Sequence, residues 1–133
     1  MTVTGMRSDR FRAAAEAKDF AAGEALFADR VTFRSPFVHT PYEGRETLMF
    51  ILSNVAQVFE DFRYVAQVET GDTAVLMFEA RVGDRELQGV DVLRFDEEDL
   101  ISEMTVMVRP MSGLEALAAE MGRRLEAQGV DPA

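Results

Sequence analysis

The acid that stands out in this sequence is Asp91. It lies in the run ELQGVDVLRF, residues 86–95, where alternation sends Leu87, Gly89, Leu93 and Phe95 to one side of an extended segment and Gln88 and Arg94 to the other. Asp91 falls on the apolar side. A carboxyl group among apolar neighbours loses hydration on ionising, so its pKa rises, by as much as about 3 to 5 units when burial is complete and no partner is supplied. Such a group can keep its proton near neutrality and donate it. The competing reading is an ionised carboxylate satisfied by backbone or tyrosine donors, or one at a solvated mouth. Tyr64, in FRYVAQVE, shares the inner side with Phe62, Ala66 and Val68 by the same alternation, so its hydroxyl can meet either Asp91 or a backbone partner.

His39 is the one side chain whose ordinary pKa lies near neutrality. It follows the first extended segment, where it serves either as a general base or as a solvated loop residue among Thr40, Pro41 and Tyr42. Ser35 faces inward in VTFRSPF but has no paired base, which makes it a hydrogen-bonding wall residue rather than a nucleophile. The run Asp96, Glu97, Glu98, Asp99 has the composition of a cation site and nothing more, and a solvated hairpin tip explains it better. With one histidine and no cysteine, the chain has no means of building thiolate zinc sites, disulfides or histidine clusters, and no metal or cofactor is expected.

Holding these groups in place takes a scaffold, and 133 residues suffice for one domain with a real core, spanning 1–133 with flexible ends expected at 1–7 and 129–133. The formal net charge of −10, from 14 Lys+Arg against 24 Asp+Glu, repels nucleic-acid backbones and anionic membranes, so neither is an expected partner. No stretch approaches the roughly 20 apolar residues of a membrane span. Met1 to Met6 lacks the basic and apolar segments of a secretory signal, which points to the cytoplasm.

The elements are legible in order. SDRFRAAAEA, from Ser8 to Ala17, opens with a capping residue and continues in helix formers, and Asp19 caps a second segment, FAAGEALFA, whose apolar stripe leaves Lys18, Glu24 and Asp29 elsewhere. VTFRSPF is a strand in which Val31, Phe33, Ser35 and Phe37 point one way, with Pro36 confining it to an edge or an end. After the loop HTPYEG, residues 45–62 carry Leu48, Ile51, Leu52, Val55 and Phe59 at helical spacing. FRYVAQVE, TAVLMFEARV, ELQGVDVLRF and LISEMTVMV then form a meander whose short turns imply antiparallel neighbours. Pro110 ends the last strand, and Ser112 with Glu115 has the spacing of a capping box for a final helix carrying Leu114, Leu117, Met121 and Leu125 inward, stopped by Gly129.

The central hairpin fixes a register. If Gly83 and Asp84 are the two loop residues, Val82 faces Arg85, Arg81 faces Glu86 and Leu76 faces Asp91, so that Leu76, Phe78, Ala80, Val82, Leu87, Gly89, Leu93 and Phe95 share the core face with one carboxylate. On the outer face Val75, Met77, Thr105 and Met107 mix with Glu79, Arg81 and Glu103, a texture suited to subunit contact.

This order of helix, helix, strand, long helix and four meandering strands resembles the nuclear transport factor 2-like superfamily. The phrases LFADRVTFRSP and VDVLRFDEEDLISEM, and Gly44 opening the long helix, are similar to its SnoaL-like and ketosteroid-isomerase-like branches over roughly residues 8 to 109. The resemblance implies an α+β fold, a cone-shaped curved antiparallel sheet packed on the N-terminal and central helices with a C-terminal helix, around an apolar pocket. It also implies a homodimer through the outer sheet face. Side chains expected to line the hollow are Phe11, Phe27, Phe33, Ser35, Phe37, Leu52, Val55, Phe59, Phe78, Leu93, Met104 and Val106. In ketosteroid isomerases a tyrosine on the first helix and a strand aspartic acid hold the enolate oxygen, and an aspartate before a proline moves the proton. Asp91 matches the strand acid, but Phe11 replaces the tyrosine and Ser35 before Pro36 replaces the base, so steroid isomerisation by that mechanism is not expected. Two functions lead: an isomerase-, lyase- or cyclase-like acid/base enzyme using Asp91 with His39 or Tyr64 on a small hydrophobic molecule, and a non-catalytic small-ligand-binding or dimeric scaffold protein; a third, nuclear-transport-type protein recognition, rests on fold analogy alone.

Overall fold

The structure, a computed structural model, describes residues 5–129. Two short helices, α1 (Asp9–Glu16) and α2 (Phe20–Gly23), lead through a 3-10 turn at Glu24–Leu26 into strand β1 (Phe27–Arg34). A two-residue strand β2 (Tyr42–Glu43) precedes helix α3 (Arg45–Val58), and strands β3 (Glu60–Thr70), β4 (Thr73–Val82), β5 (Arg85–Phe95) and β6 (Ile101–Arg109) follow before helix α4 (Met111–Ala127). The strands form one curved, unclosed sheet in the order β2-β1-β6-β5-β4-β3, with the helices against its concave face. This is the expected α+β architecture. One pairing departs from the expected antiparallel sheet: β1 runs parallel to β6, Phe33 opposite Met104. The turn-length argument applies only to strands adjacent in sequence, and α3 with the whole meander separates these two.

The predicted hairpin register holds at every position from Thr73 opposite Arg94 to Val82 opposite Arg85, including Leu76 opposite Asp91. Gly83, at φ 60, takes the left-handed conformation that a two-residue connection demands. The face that alternation sent inward is buried throughout, with Leu76 and Leu93 fully enclosed. Alternation fails on β3, where bulges between Glu60 and Arg63 and between Tyr64 and Ala66 shift the pairing. Tyr64 stays inside, whereas Ala66 and Val68, expected beside it, turn to solvent, Val68 being 62% exposed.

Several local expectations are corrected. Residues 59–62 belong to the approach and start of β3, because α3 ends at Val58 and Asp61 adopts a positive φ. β1 ends at Arg34, so Ser35 and Phe37 lie in the following turn. Ser8 precedes α1 but makes no cap; its hydroxyl donates to Glu69 Oε1 at 2.9 Å. Ser112 lies inside α4, which starts at Met111 after Pro110 without a side-chain cap, so the predicted capping box does not form. Arg81 is opposite Glu86 but pairs instead with Glu60 and Asp61, at 2.7 and 2.8 Å. Arg7, expected in a flexible end, is held by Glu69 and Asp99. The remaining terminal expectations, at 1–4 and 130–133, lie outside the described residues.

Helix α1 also guards the free edge of the sheet. Along β3, Glu16 accepts from the Tyr64 N–H at 3.2 Å and Arg12 donates to the Tyr64 carbonyl at 3.2 Å, so side chains occupy backbone groups that would otherwise invite another strand.

Candidate functional site

Between the sheet and helices α1, α3 and α4 lies a cavity of about 230 Å³. Its walls are aromatic and aliphatic, and the polar side chains reaching it are Lys18, Ser35, Tyr42, Tyr64 and Asp91. Phe59, Phe62, Tyr64 and Phe78 form one edge-on and tilted aromatic group along it, with ring centroids 5.0 to 6.3 Å apart.

Asp91 and Tyr64 meet across β4. The phenol oxygen donates to Asp91 Oδ2 at 2.5 Å. Two strand spacings, roughly 9 to 10 Å, separate their backbones, a span that a tyrosine leaning along the sheet can bridge. Phe78, on the strand between them, tips over Gly89: a Cβ on that glycine would lie 2.3 Å from Phe78 Cζ and 2.5 Å from the Met107 carbonyl oxygen. The missing side chain thus gives Phe78 a resting place beside the path from Tyr64 to the acid.

Asp91 is 5% exposed, and burial pushes its carboxyl up from 3.8 to about 7, while the Tyr64 hydrogen bond pulls the other way. Burial likewise raises the Tyr64 phenol well above its ordinary value, and the neighbouring Asp91 charge adds to this. Among the described residues Oδ1 of Asp91 has no hydrogen-bond partner within the chain. No fully enclosed side-chain oxygen is left unpartnered among those residues, so Oδ1 opens onto the cavity. The result is a carboxyl clamped at one oxygen, free at the other, and poised between its two protonation states at neutral pH.

The other predicted residues separate into two groups. Phe11, Phe33, Ser35, Phe37, Leu52, Val55, Phe59, Phe78, Met104 and Val106 line the cavity. Phe27 and Leu93 do not; they have the expected inward parity but are sealed within the packed core, both at 0% exposure. Ser35 is occupied locally, its hydroxyl oxygen accepting from the Phe37 and Val38 N–H groups at 3.2 and 3.3 Å. His39 is exposed and is not among the lining residues, although Phe37, Val38 and Tyr42 around it are. It is not brought to Asp91. Asp96 spends its carboxylate on the turn, accepting from the Glu98 and Leu100 N–H groups at 2.8 and 3.0 Å.

Sequence reasoning missed several lining residues, Phe20, Tyr42, Ile51 and Phe62 among them, and two further contributors have a clear physical reason. Helix α4 supplies Leu117, Ala118, Met121, Gly122 and Leu125 to the wall; its apolar stripe was visible, but nothing local to it says that it crosses the mouth of the sheet. Lys18 was set apart from the apolar stripe of the first helices, yet it lines the cavity, because a left-handed turn at φ 57 reverses the chain there.

The model of the SnoaL-like domain family matches residues 9–104 of this chain. The chain belongs to the SnoaL-like family. This SnoaL-like domain is similar to a crystal structure of a steroid delta-isomerase from Pseudomonas aeruginosa, with 44% identity, a TM-score of 0.88, and coverage of 92% of this chain and 90% of that one. It is also similar to an uncharacterized bacterial protein with a cystatin-like fold from Silicibacter pomeroyi, at 29% identity and TM-score 0.88 over 92% and 87% of the two chains. An NTF2-like protein of unknown function from Cytophaga hutchinsonii shares the fold alone, at 19% identity and TM-score 0.65 over 84% and 97%. No match is found among curated proteins. Among the described residues no helix of this SnoaL-like domain is long and apolar enough to cross a membrane.

Proposed function

We propose that this SnoaL-like domain is a cofactor-independent acid/base enzyme that moves a proton within a small hydrophobic carbonyl compound, with Asp91 as the proton carrier. The observation that carries this reading is the open Oδ1 of a carboxyl held near pKa 7 in an apolar cavity. In its ionised form Asp91 accepts a proton from the carbon beside the substrate carbonyl; the electron pair left behind delocalises onto the carbonyl oxygen as an enolate. Asp91 then returns that proton at the far carbon of an adjacent double bond, so the bond shifts into conjugation and no atom is gained or lost. Tyr64 donates to Oδ2 and stabilises the carboxylate before the first transfer and after the second, keeping the group in place while it carries the proton. One carboxyl serves both steps, which suits a cavity wall where Ser35 and Pro36 stand at the place ketosteroid isomerases give to a separate base.

The name of the 44% identical relative puts double-bond isomerisation first among reactions to test. The cavity, at about 230 Å³, is below the roughly 300–1,000 Å³ of pockets for drug-sized ligands, which favours a substrate more compact than four fused rings. A β,γ-unsaturated cyclohexenone and a β,γ-unsaturated ketosteroid, each followed by the absorbance of the conjugated product, form the assay. Turnover is expected with the smaller ketone, with kcat/KM rising through about pH 7 as Asp91 ionises. Asp91→Asn is expected to lower it by about 10²- to 10⁴-fold. Unchanged turnover in that variant would sink the assignment.

A second reading is non-catalytic binding of the same class of molecule, favoured by the absence of a second carboxylate among the described residues lining the cavity. Native mass spectrometry that finds a retained small molecule, together with no turnover of either ketone, supports it. Under both readings the outer sheet face joins two copies into a homodimer, with Met77, Val90 and Met107 in one cross-strand row and Val75, Val92 and Thr105 in the next.

A further inference from the structure

Lys18 is the only lysine in the chain; the other thirteen basic residues are arginines. Most of those arginines are spent on acids, as Arg34 is on Glu103 at 2.8 Å and Arg45 on Asp29 at 2.7 Å. Among the described residues no carboxylate lies within 4.0 Å of the Lys18 ammonium. Its partner is the Phe59 carbonyl oxygen, to which it donates at 2.8 Å, and an ammonium has two further N–H groups to give. Its backbone sits at φ 57, one residue past the C-cap of α1, where glycine is the usual occupant and a side chain is held against its preference. Asp91 excepted, it is the one charged side chain on the cavity wall among the described residues.

These observations describe an exposed cation held at the rim of an apolar cavity, with one N–H given to a carbonyl and the others turned to solvent, where a ligand can replace water. A neutral hydrocarbon entering the cavity would leave that ammonium without an anion. A ligand with an acidic group would satisfy it through charge-assisted hydrogen bonds, which are short and roughly twice as strong as neutral ones. The net charge of −10 repels anions at a distance, so any preference for them must come from a contact inside the site and shows itself in affinity. We propose that Lys18 binds the acidic end of the ligand, so that the cavity takes a compact hydrophobic molecule bearing a carboxylate or sulfonate. This rests on the reading that the cavity receives a small apolar body, and it adds a chemical class to that body.

Two fluorescent probes of similar shape separate the claims: anilinonaphthalene sulfonate, which carries an anion, and phenylnaphthylamine, which does not. The protein is expected to bind the sulfonate about tenfold more tightly than the neutral amine. Lys18→Gln is expected to abolish that difference without weakening the neutral probe, and Lys18→Arg to retain most of it. Equal loss of both probes in Lys18→Gln would assign the residue a structural role and overturn the proposal, as would a sulfonate affinity indifferent to the substitution. If phenylnaphthylamine binds and only the Lys18 dependence is missing, this inference falls alone. If neither probe binds the unaltered protein, the reading of the cavity falls with it.

Discussion

At the scale of single residues, Asp91 links the site to the stability of the chain. Its carboxyl keeps a proton up to about pH 7 when folded, against an ordinary value of 3.8. Between those values the folded chain retains a proton that the unfolded chain releases, so stability falls as pH rises from about 4 to 7 and then levels off. The full effect amounts to about 4 kcal/mol. Asp91→Asn removes this dependence, and urea unfolding is expected to show the variant gaining on the parent as pH moves from 5 to 8; parallel curves would refute a raised pKa. Burial places the transition high and Tyr64 draws it back down, because its hydroxyl stabilises the ionised acid. Tyr64→Phe is therefore expected to move the Asp91 titration above about 7, measured by carboxyl-carbon NMR, and a downward move would show that Tyr64 is not the controlling donor. The acid itself was legible, since strict alternation on β5 placed it inside. Its partner was legible only as one of two alternatives, because the choice between Asp91 and a backbone carbonyl depends on distances across three strands.

At the scale of elements, the meander was readable because each strand is next to its partner in sequence and its turn fixes the register. β3 was only half readable: a bulge adds a residue without leaving any mark in composition, so the parity that put Tyr64 inside wrongly carried Ala66 and Val68 with it. Gly89 shows a different limit, since the need for a bare backbone there comes from Phe78 on another strand. Gly89→Ala is expected to destabilise the fold by about 1 to 3 kcal/mol in chemical denaturation, because the Met107 carbonyl has no freedom to retreat within its ladder. Helix α4 is tied to α3 through Asn54, whose buried carbonyl oxygen accepts from Arg124 at 3.0 Å and Gln128 at 2.7 Å. Asn54→Ala removes both tethers at a cost of about 1 to 3 kcal/mol. Faster amide exchange confined to α4 is the expected signature, and uniform acceleration over the whole chain would instead mean that α3 had lost its own footing.

At the scale of the molecule, the convex side of the sheet leaves Val65, Val68, Met77 and Met107 between 43% and 62% exposed, while ion pairs such as Arg63–Glu79 and Arg34–Glu103 flank them. An apolar centre within a polar rim has the texture of a subunit contact. Sedimentation of the unaltered protein is expected to show a dimer, and Met77→Glu combined with Met107→Glu to give monomers with the cavity intact; a monomeric parent would end that expectation. The sheet's parallel seam bears on how the molecule comes into being. Strands β3 to β6 can assemble in the order in which they are made, but β1 has no long neighbour except β6, which is synthesised last of all the strands. During translation Val31 and Phe33 therefore lack their long strand partner until β6 has been made, with only the two-residue β2 beside Phe33 in the meantime, so a growing chain is most exposed to mispairing in that interval.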